Sequence, residues 1–91
     1  MKYFDWSVDK NIQLIDSRGI GFEYIIIALN EGRLLDILEH PNSKKYLNQK
    51  IFVVEINHYA YLVPFVEDDK KIFLKTIIPS RKATKKYLIN K

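Results

Sequence analysis

The chain has 91 residues, 47% hydrophobic and 13% aromatic, which is enough for one compact core and too apolar for a disordered tail. It contains no cysteine, which excludes a disulfide framework, a thiolate metal site and a cysteine nucleophile. The net charge of +4 conceals an asymmetry: residues 1–69 hold all eleven acids and seven cations, a net −4, whereas residues 70–91 hold eight cations and no acid, a net +8. No apolar run approaches the ~20 residues of a membrane span, and the first residues lack a signal-peptide core. The expectation is one domain over residues 1–91, soluble and cytoplasmic. The basic end suits a polyanion or an acidic partner segment; a solvated basic helix is the plainer alternative.

Tyr3-Phe4-Asp5-Trp6 reads as a short entry strand. Ser7 is a plausible N-cap with Asp9 in the first turn, and Val8, Ile12 and Ile15 recur as one helix face. Gly19 stands where a left-handed residue ends that helix. A second helix runs from about Phe22 to Asn30, its stripe made by Phe22, Ile25, Ile26 and Leu29, and Gly32 closes it. The two form an αα-hairpin around Arg18-Gly19-Ile20-Gly21, with Lys10 and Asn11 on the exposed side of the first helix.

From Leu34 the period changes. Leu34–Leu38 is a candidate strand, and His40-Pro41-Asn42-Ser43-Lys44-Lys45 is turn-rich. Ile51–Ile56, Ala60–Val66 and Lys71–Ile78 follow as strands joined by short turns, which predicts an antiparallel meander. Pro64 cannot donate to a ladder, so it marks a bulge or an unpaired edge. These strands are apolar on both faces, and two short helices cover only one. The other needs a partner, a second copy or the last helix, which starts after Pro79 with Ser80 as N-cap. The fold class is α+β: two N-terminal helices and a C-terminal helix on an antiparallel sheet of about four strands.

Several chemistries lack their residues. Three scattered glycines make no phosphate loop, two distant histidines make no metal motif, and there is no nucleophile elbow; no cofactor or metal is expected. Metal-free RNA cleavage needs less, because the ribose 2′-OH attacks its own adjacent phosphate. The protein orients the backbone, stabilises the developing charge and moves protons. Arg81, at the start of the last helix where backbone N–H groups also favour an anion, fits the charge-stabilising role. Alternatively it is a helix-cap arginine paired with Glu67 or Asp69. His58 is a general acid or base, or a solvated turn residue. Lys50 and Lys75 project into a cleft beside Arg81, or snorkel at the sheet margin. Lys82, Lys85 and Lys86 would hold phosphates by charge. Tyr59, Tyr61 and Phe73 stack bases or pack in the core.

Phe4-x-Trp6-x3-Lys10-Asn11, Arg18-Gly19-Ile20-x-Phe22-Glu23, Ala28 and the ending Ile77-Ile78-Pro79-Ser80-Arg81-Lys82-Ala83-Thr84 together resemble the BrnT family of toxins. That resemblance spans nearly the whole chain. It implies a RelE/ParE-like fold and the toxin of a type II toxin–antitoxin system, an RNA endonuclease that halts growth. It further implies a small antitoxin with a ribbon-helix-helix part as partner, the complex binding operator DNA. The family's basic residue at the end of the last strand maps onto Arg81, with Lys50 or His58 as proton-transfer candidates and Lys75, Lys82, Lys85 and Lys86 on RNA. The chain departs from the family pattern at Arg18, Gln49-Lys50 and Pro79-Ser80. The alternative on the same fold is a binding protein without nuclease activity, either an inhibitor of a protein target or a nucleic-acid-binding regulator.

Overall fold

A computed structural model describes residues 2–39, 44–45 and 49–89. The chain runs β1 (Tyr3–Trp6), α1 (Val8–Arg18), α2 (Phe22–Asn30), β2 (Leu34–Glu39), β3 (Gln49–Ile56), β4 (Tyr59–Glu67), β5 (Lys71–Leu74), β6 (Ile78–Pro79) and α3 (Arg81–Thr84). A π-helical turn, Lys85–Ile89, prolongs α3. The class is α+β. The expected turn at His40-Pro41-Asn42-Ser43 lies outside the described residues.

The sheet has six strands rather than about four, and it is mixed. Its order is β1-β5-β4-β3-β2, with β6 paired to β4. β2 to β5 form the antiparallel meander, but β1 lies parallel to β5, with Tyr3 opposite Lys71 and Trp6 opposite Leu74. The single expected strand Lys71–Ile78 is split in two. Opposite the split stands Pro64, whose carbonyl accepts from Lys75 N–H at 2.8 Å. In a strand the N–H and C=O of one residue point to the same side, so the donor that proline lacks faces this interruption. Ile77 uses the break to enter the core, where it is fully buried. Where a bulge or an unpaired edge is expected, Pro64 keeps regular register with Ile51 in an inner strand and marks a break in the ladder on its other side only.

Local chemistry sets the helix ends. Ser7 Oγ accepts from Lys10 N–H at 3.3 Å, and Gly19 takes φ 73° at the close of α1. At the end of α2, Arg33 N–H returns to Ala28 C=O and Gly32 N–H to Leu29 C=O. This is a Schellman closure, and it needs the left-handed φ of 76° at Gly32 that glycine adopts without strain.

The orientation of α1 is the main correction. Val8, Ile12 and Ile15 are 69%, 59% and 49% exposed, whereas Leu14 and Asn11 are buried. The stripe is real but faces outward. The physical reason is Asn11, which is not on an exposed side: its Oδ1 accepts from Phe22 N–H at 2.7 Å, and its Nδ2 donates to the Glu23 carboxylate at 2.9 Å. Turning the stripe inward would withdraw Asn11 and leave those buried polar groups unpaired. In α2, Phe22, Ile25 and Ala28 are buried and Ile26 and Leu29 half-buried.

The two sheet faces bury separate clusters. Under α1 and α2 lie Phe22, Ile25, Phe52, Val54, Val63, Phe65, Leu74 and Ile77. Phe52 and Phe65 stack at 4.0 Å, and full burial of each such side chain stabilises by about 1.5–3 kcal/mol. On the reverse face, Val53, Ala60 and Ala83 are buried with Leu35, Leu38, Leu62, Tyr87 and Leu88 around them. The last helix, one of the three expected covers, packs on this face through Ala83, Tyr87 and Leu88.

Candidate functional site

The end of the acid-free segment is fixed to the sheet by backbone and hydroxyl bonds, which leaves Arg81, Lys82, Lys85 and Lys86 without an ion pair among the described residues, whereas Lys71 pairs with Asp5 at 3.6 Å. Ile78 and Pro79 pair with Leu62 and Tyr61. Ser80 N–H then donates to Ala60 C=O at 3.0 Å, while Ser80 Oγ accepts from Ala83 N–H at 3.1 Å. Thr84 Oγ1 donates to Ser80 C=O at 2.7 Å and accepts from Ala60 N–H at 2.9 Å. One buried hydroxyl therefore ties the helix to the start of β4. With Ala83 and Thr84 turned inward, helical spacing places Arg81, Lys82, Lys85 and Lys86 outward, and all four are exposed.

Further along, Tyr87 Oη donates to Asp36 Oδ2 at 2.5 Å. This bond, with lesser help from Ile37 N–H and the charge of Lys86, holds the Asp36 carboxyl below its ordinary value against a small opposing effect of burial. The same bond raises the Tyr87 hydroxyl. Lys86 Nζ stands 5.3 Å from the Tyr87 ring. Between helix and sheet lies a groove of about 270 Å³ lined by Leu38, Leu62, Ser80, Lys82, Ala83, Lys86 and Tyr87. Its floor is apolar and its lysines stand where an anion would meet them.

The residues expected to share a site are only partly together. Lys82 and Lys86 line the groove and Arg81 opens the same helix. Arg81 makes no ion pair among the described residues. The expected pairing with Glu67 is not made, because Glu67 is bound by Lys2 at 2.5 Å. Lys85 is exposed beside them, and Lys75 is exposed in the β5–β6 interruption. Lys50 is elsewhere: it shares a face with Phe52 and Val54, the face opposite the groove, and it pairs with Phe65. His58 occupies the two-residue turn at the other end of β3, roughly 20 Å from Lys50 along the strand. Its side chain is 97% exposed, with Nδ1 3.6 Å from Glu55 Oε2. Lys50 and His58 cannot serve one site in this arrangement.

Of the aromatic candidates, Tyr61 packs against the main core and meets Tyr59 edge to face at 5.7 Å. Phe73 is half-buried on the reverse face, with Lys71 Nζ 5.7 Å from its ring. A second hollow of about 250 Å³, lined by Arg33, Glu55, Asn57 and His58, lies at the hairpin end. Among the described residues no three histidine or acidic side chains converge as metal donors, and no helix is long and apolar enough to cross a membrane.

Sequence reasoning missed Asn11, Thr84 and the Tyr87–Asp36 pair. Only the first left a signal: α2 starts at Gly21, which has no side chain to cap it, so the cap must come from elsewhere. No family model, no curated protein and no solved structure matches this chain.

Proposed function

We propose that this chain is a BrnT-like toxin of the RelE/ParE-like fold, an RNA endonuclease acting in the cytoplasm and neutralised by an antitoxin. One observation carries the reading: residues 70–91 hold eight cations and no acid, and four of those cations, Arg81, Lys82, Lys85 and Lys86, are exposed on α3 and the turn that prolongs it, beside an apolar groove. Single-stranded RNA has the matching chemistry, with phosphates for Lys82, Lys85, Lys86 and Lys75 and flat bases for an apolar floor. Arg81 would meet two oxygens of the scissile phosphate as the 2′-oxygen attacks phosphorus and the 5′-oxygen leaves. The antitoxin, through a ribbon-helix-helix part, would carry the complex to operator DNA.

The test is induced expression in a bacterial host, wild type beside Arg81→Ala, reading growth and RNA integrity together. Arrest with fragmented RNA in the wild type alone is expected. Fragmentation by both would remove Arg81 from the chemistry.

A second reading has its own support. Lys50 lies on the other face and His58 stands in solvent, so neither supplies a proton-transfer group next to Arg81 in this arrangement. Binding without cleavage would then be the activity, either on nucleic acid or on a protein target. It predicts intact RNA in the same experiment.

A further inference from the structure

The largest departure from ordinary packing is the outward stripe of α1. Val8, Ile12 and Ile15 are each about half or more exposed, although they follow the i, i+4, i+7 spacing that usually marks a buried face. Nothing within the described residues covers them. The helix is held in this orientation by Asn11 and Leu14, so the outward stripe is a fixed feature of the fold.

The charges beside the stripe define what fits it. At about 100° per residue, Asp9 and Asp16 both fall on one flank. On the other flank Asn11 draws in the exposed carboxylate of Glu23. Lys10 falls on the far side of the helix, and Arg18, one turn past Ile15, falls on the same flank as Asn11. Asp9 and Asp16 make no ion pair among the described residues. An apolar stripe rimmed by carboxylates repels RNA and anionic lipid, so it is not an extension of the basic face. A second copy with its α1 antiparallel also fits poorly. Antiparallel α1 helices packed face to face would set the Asp9–Asp16 flank against its own equivalent. The chain's own basic helix is already seated through Ala83, Thr84 and Leu88.

We infer that the outer face of α1 is a docking surface for a basic amphipathic helix of another protein, its apolar residues on Val8, Ile12 and Ile15 and its lysines or arginines along Asp9 and Asp16. Helix-on-helix docking of this kind reads apolar anchors at i, i+4 and i+7, while the flanking charges choose the partner. This inference does not rest on the RNA reading.

The probe is a synthetic helical peptide with a leucine stripe and lysines elsewhere, titrated onto the full chain at low salt by fluorescence anisotropy. A control peptide keeps the lysines and has alanine for leucine. The expected result is binding that weakens with salt, at least tenfold tighter for the leucine peptide. It should fall at least tenfold in Ile12→Lys and again in Asp9→Asn/Asp16→Asn. These residues are exposed, so circular dichroism should match the wild type. Equal binding of both peptides, affinity unchanged by Ile12→Lys, or no binding overturns the inference. So does self-association of the wild type that Ile12→Lys abolishes, which would make a second copy the occupant.

Discussion

Asn11 caps a helix to which it does not belong: its Oδ1 takes the Phe22 N–H, eleven residues on, at 2.7 Å. The first N–H groups of a helix have no partner inside it, and Gly21, at the N-cap of α2, makes no side-chain bond. Asn11 supplies the missing acceptor from α1, and Trp6 stacks on Phe22 at 5.7 Å beside it. Four of the residues behind the family resemblance, Trp6, Asn11, Phe22 and Glu23, therefore have a structural account, as the corner that sets the two helices on the sheet. They speak for architecture rather than chemistry.

Asn11→Ala removes that acceptor and leaves a buried N–H unpaired. A loss of about 1–3 kcal/mol is expected, read as a lower urea midpoint with unchanged slope. Asn11→Asp should lose less, because its oxygen still accepts from Phe22, although it stands against the Glu23 carboxylate.

Gly21→Ala should also destabilise, for a reason of space. A Cβ at that position would stand 2.7 Å from Asn11 Oδ1 and 2.9 Å from Ile15 Cγ1. Since Asn11 supplies the nearest atom, the double variant Asn11→Ala/Gly21→Ala should lose less than the two single losses added. The coupling should be on the order of 0.5–1 kcal/mol. Strict additivity would mean that Ile15, or Glu23, whose Oε1 also stands 2.9 Å away, forbids the side chain.

These two residues also show what a sequence can and cannot disclose. The start of α1, the close of α1 and α2 and the start of α3 were legible because Ser7, Gly19, Gly32 and Ser80 act on neighbours a few positions away. Periodicity correctly grouped Val8, Ile12 and Ile15 on one side, but a helix pattern does not say which side turns inward, and a hydrogen bond to α2 decided it. The parallel pairing of Tyr3 with Lys71 leaves no local trace either. The same limit applied to the site: the charge run disclosed Lys82 and Lys86, while separating Lys50 from Arg81 required strand register and face.

The Tyr87–Asp36 bond makes the seating of the last helix sensitive to pH at both extremes. Asp36 is held below its ordinary 3.8, so its contribution is present above that value and is lost as pH falls through the folded one. Tyr87 is held above 10.0, so its contribution is present below that and is lost as pH rises through the folded value. Tyr87→Phe should therefore be less stable than the wild type at neutral pH. The gap should close in acid and again in strong base. Denaturation curves across pH would show this, and a gap independent of pH would mean that ring packing alone seats the helix.

Lys82 and Lys86 should contribute as phosphate contacts if RNA lies in the groove. Each neutralised phosphate on a single strand adds roughly 0.7 to the slope of log affinity against log salt. Lys82→Ala/Lys86→Ala should therefore lower that slope by roughly 1.4 with little change in stability, since both side chains reach solvent. Filter binding of a single-stranded RNA across salt concentrations measures it. An unchanged slope would move the RNA off this groove.

His58 offers a substitution in which stability and function should part. The turn holds Asn57 at φ 53° and His58 at φ 65°, the two left-handed positions of a type I′ hairpin, where glycine is preferred at the second. A left-handed conformation costs a residue with a Cβ roughly 1–2 kcal/mol, and the greater freedom of unfolded glycine returns part of it. His58→Gly should thus stabilise the chain by about 0.5–1 kcal/mol, seen as a higher melting temperature. With 97% of the side chain in solvent and Glu55 its one ion-pair partner among the described residues, any growth arrest that expression of the wild type causes should persist in this variant. A more stable protein that no longer arrests growth would instead give the imidazole a part in the chemistry, and would require the hairpin end to approach Arg81 when RNA is bound.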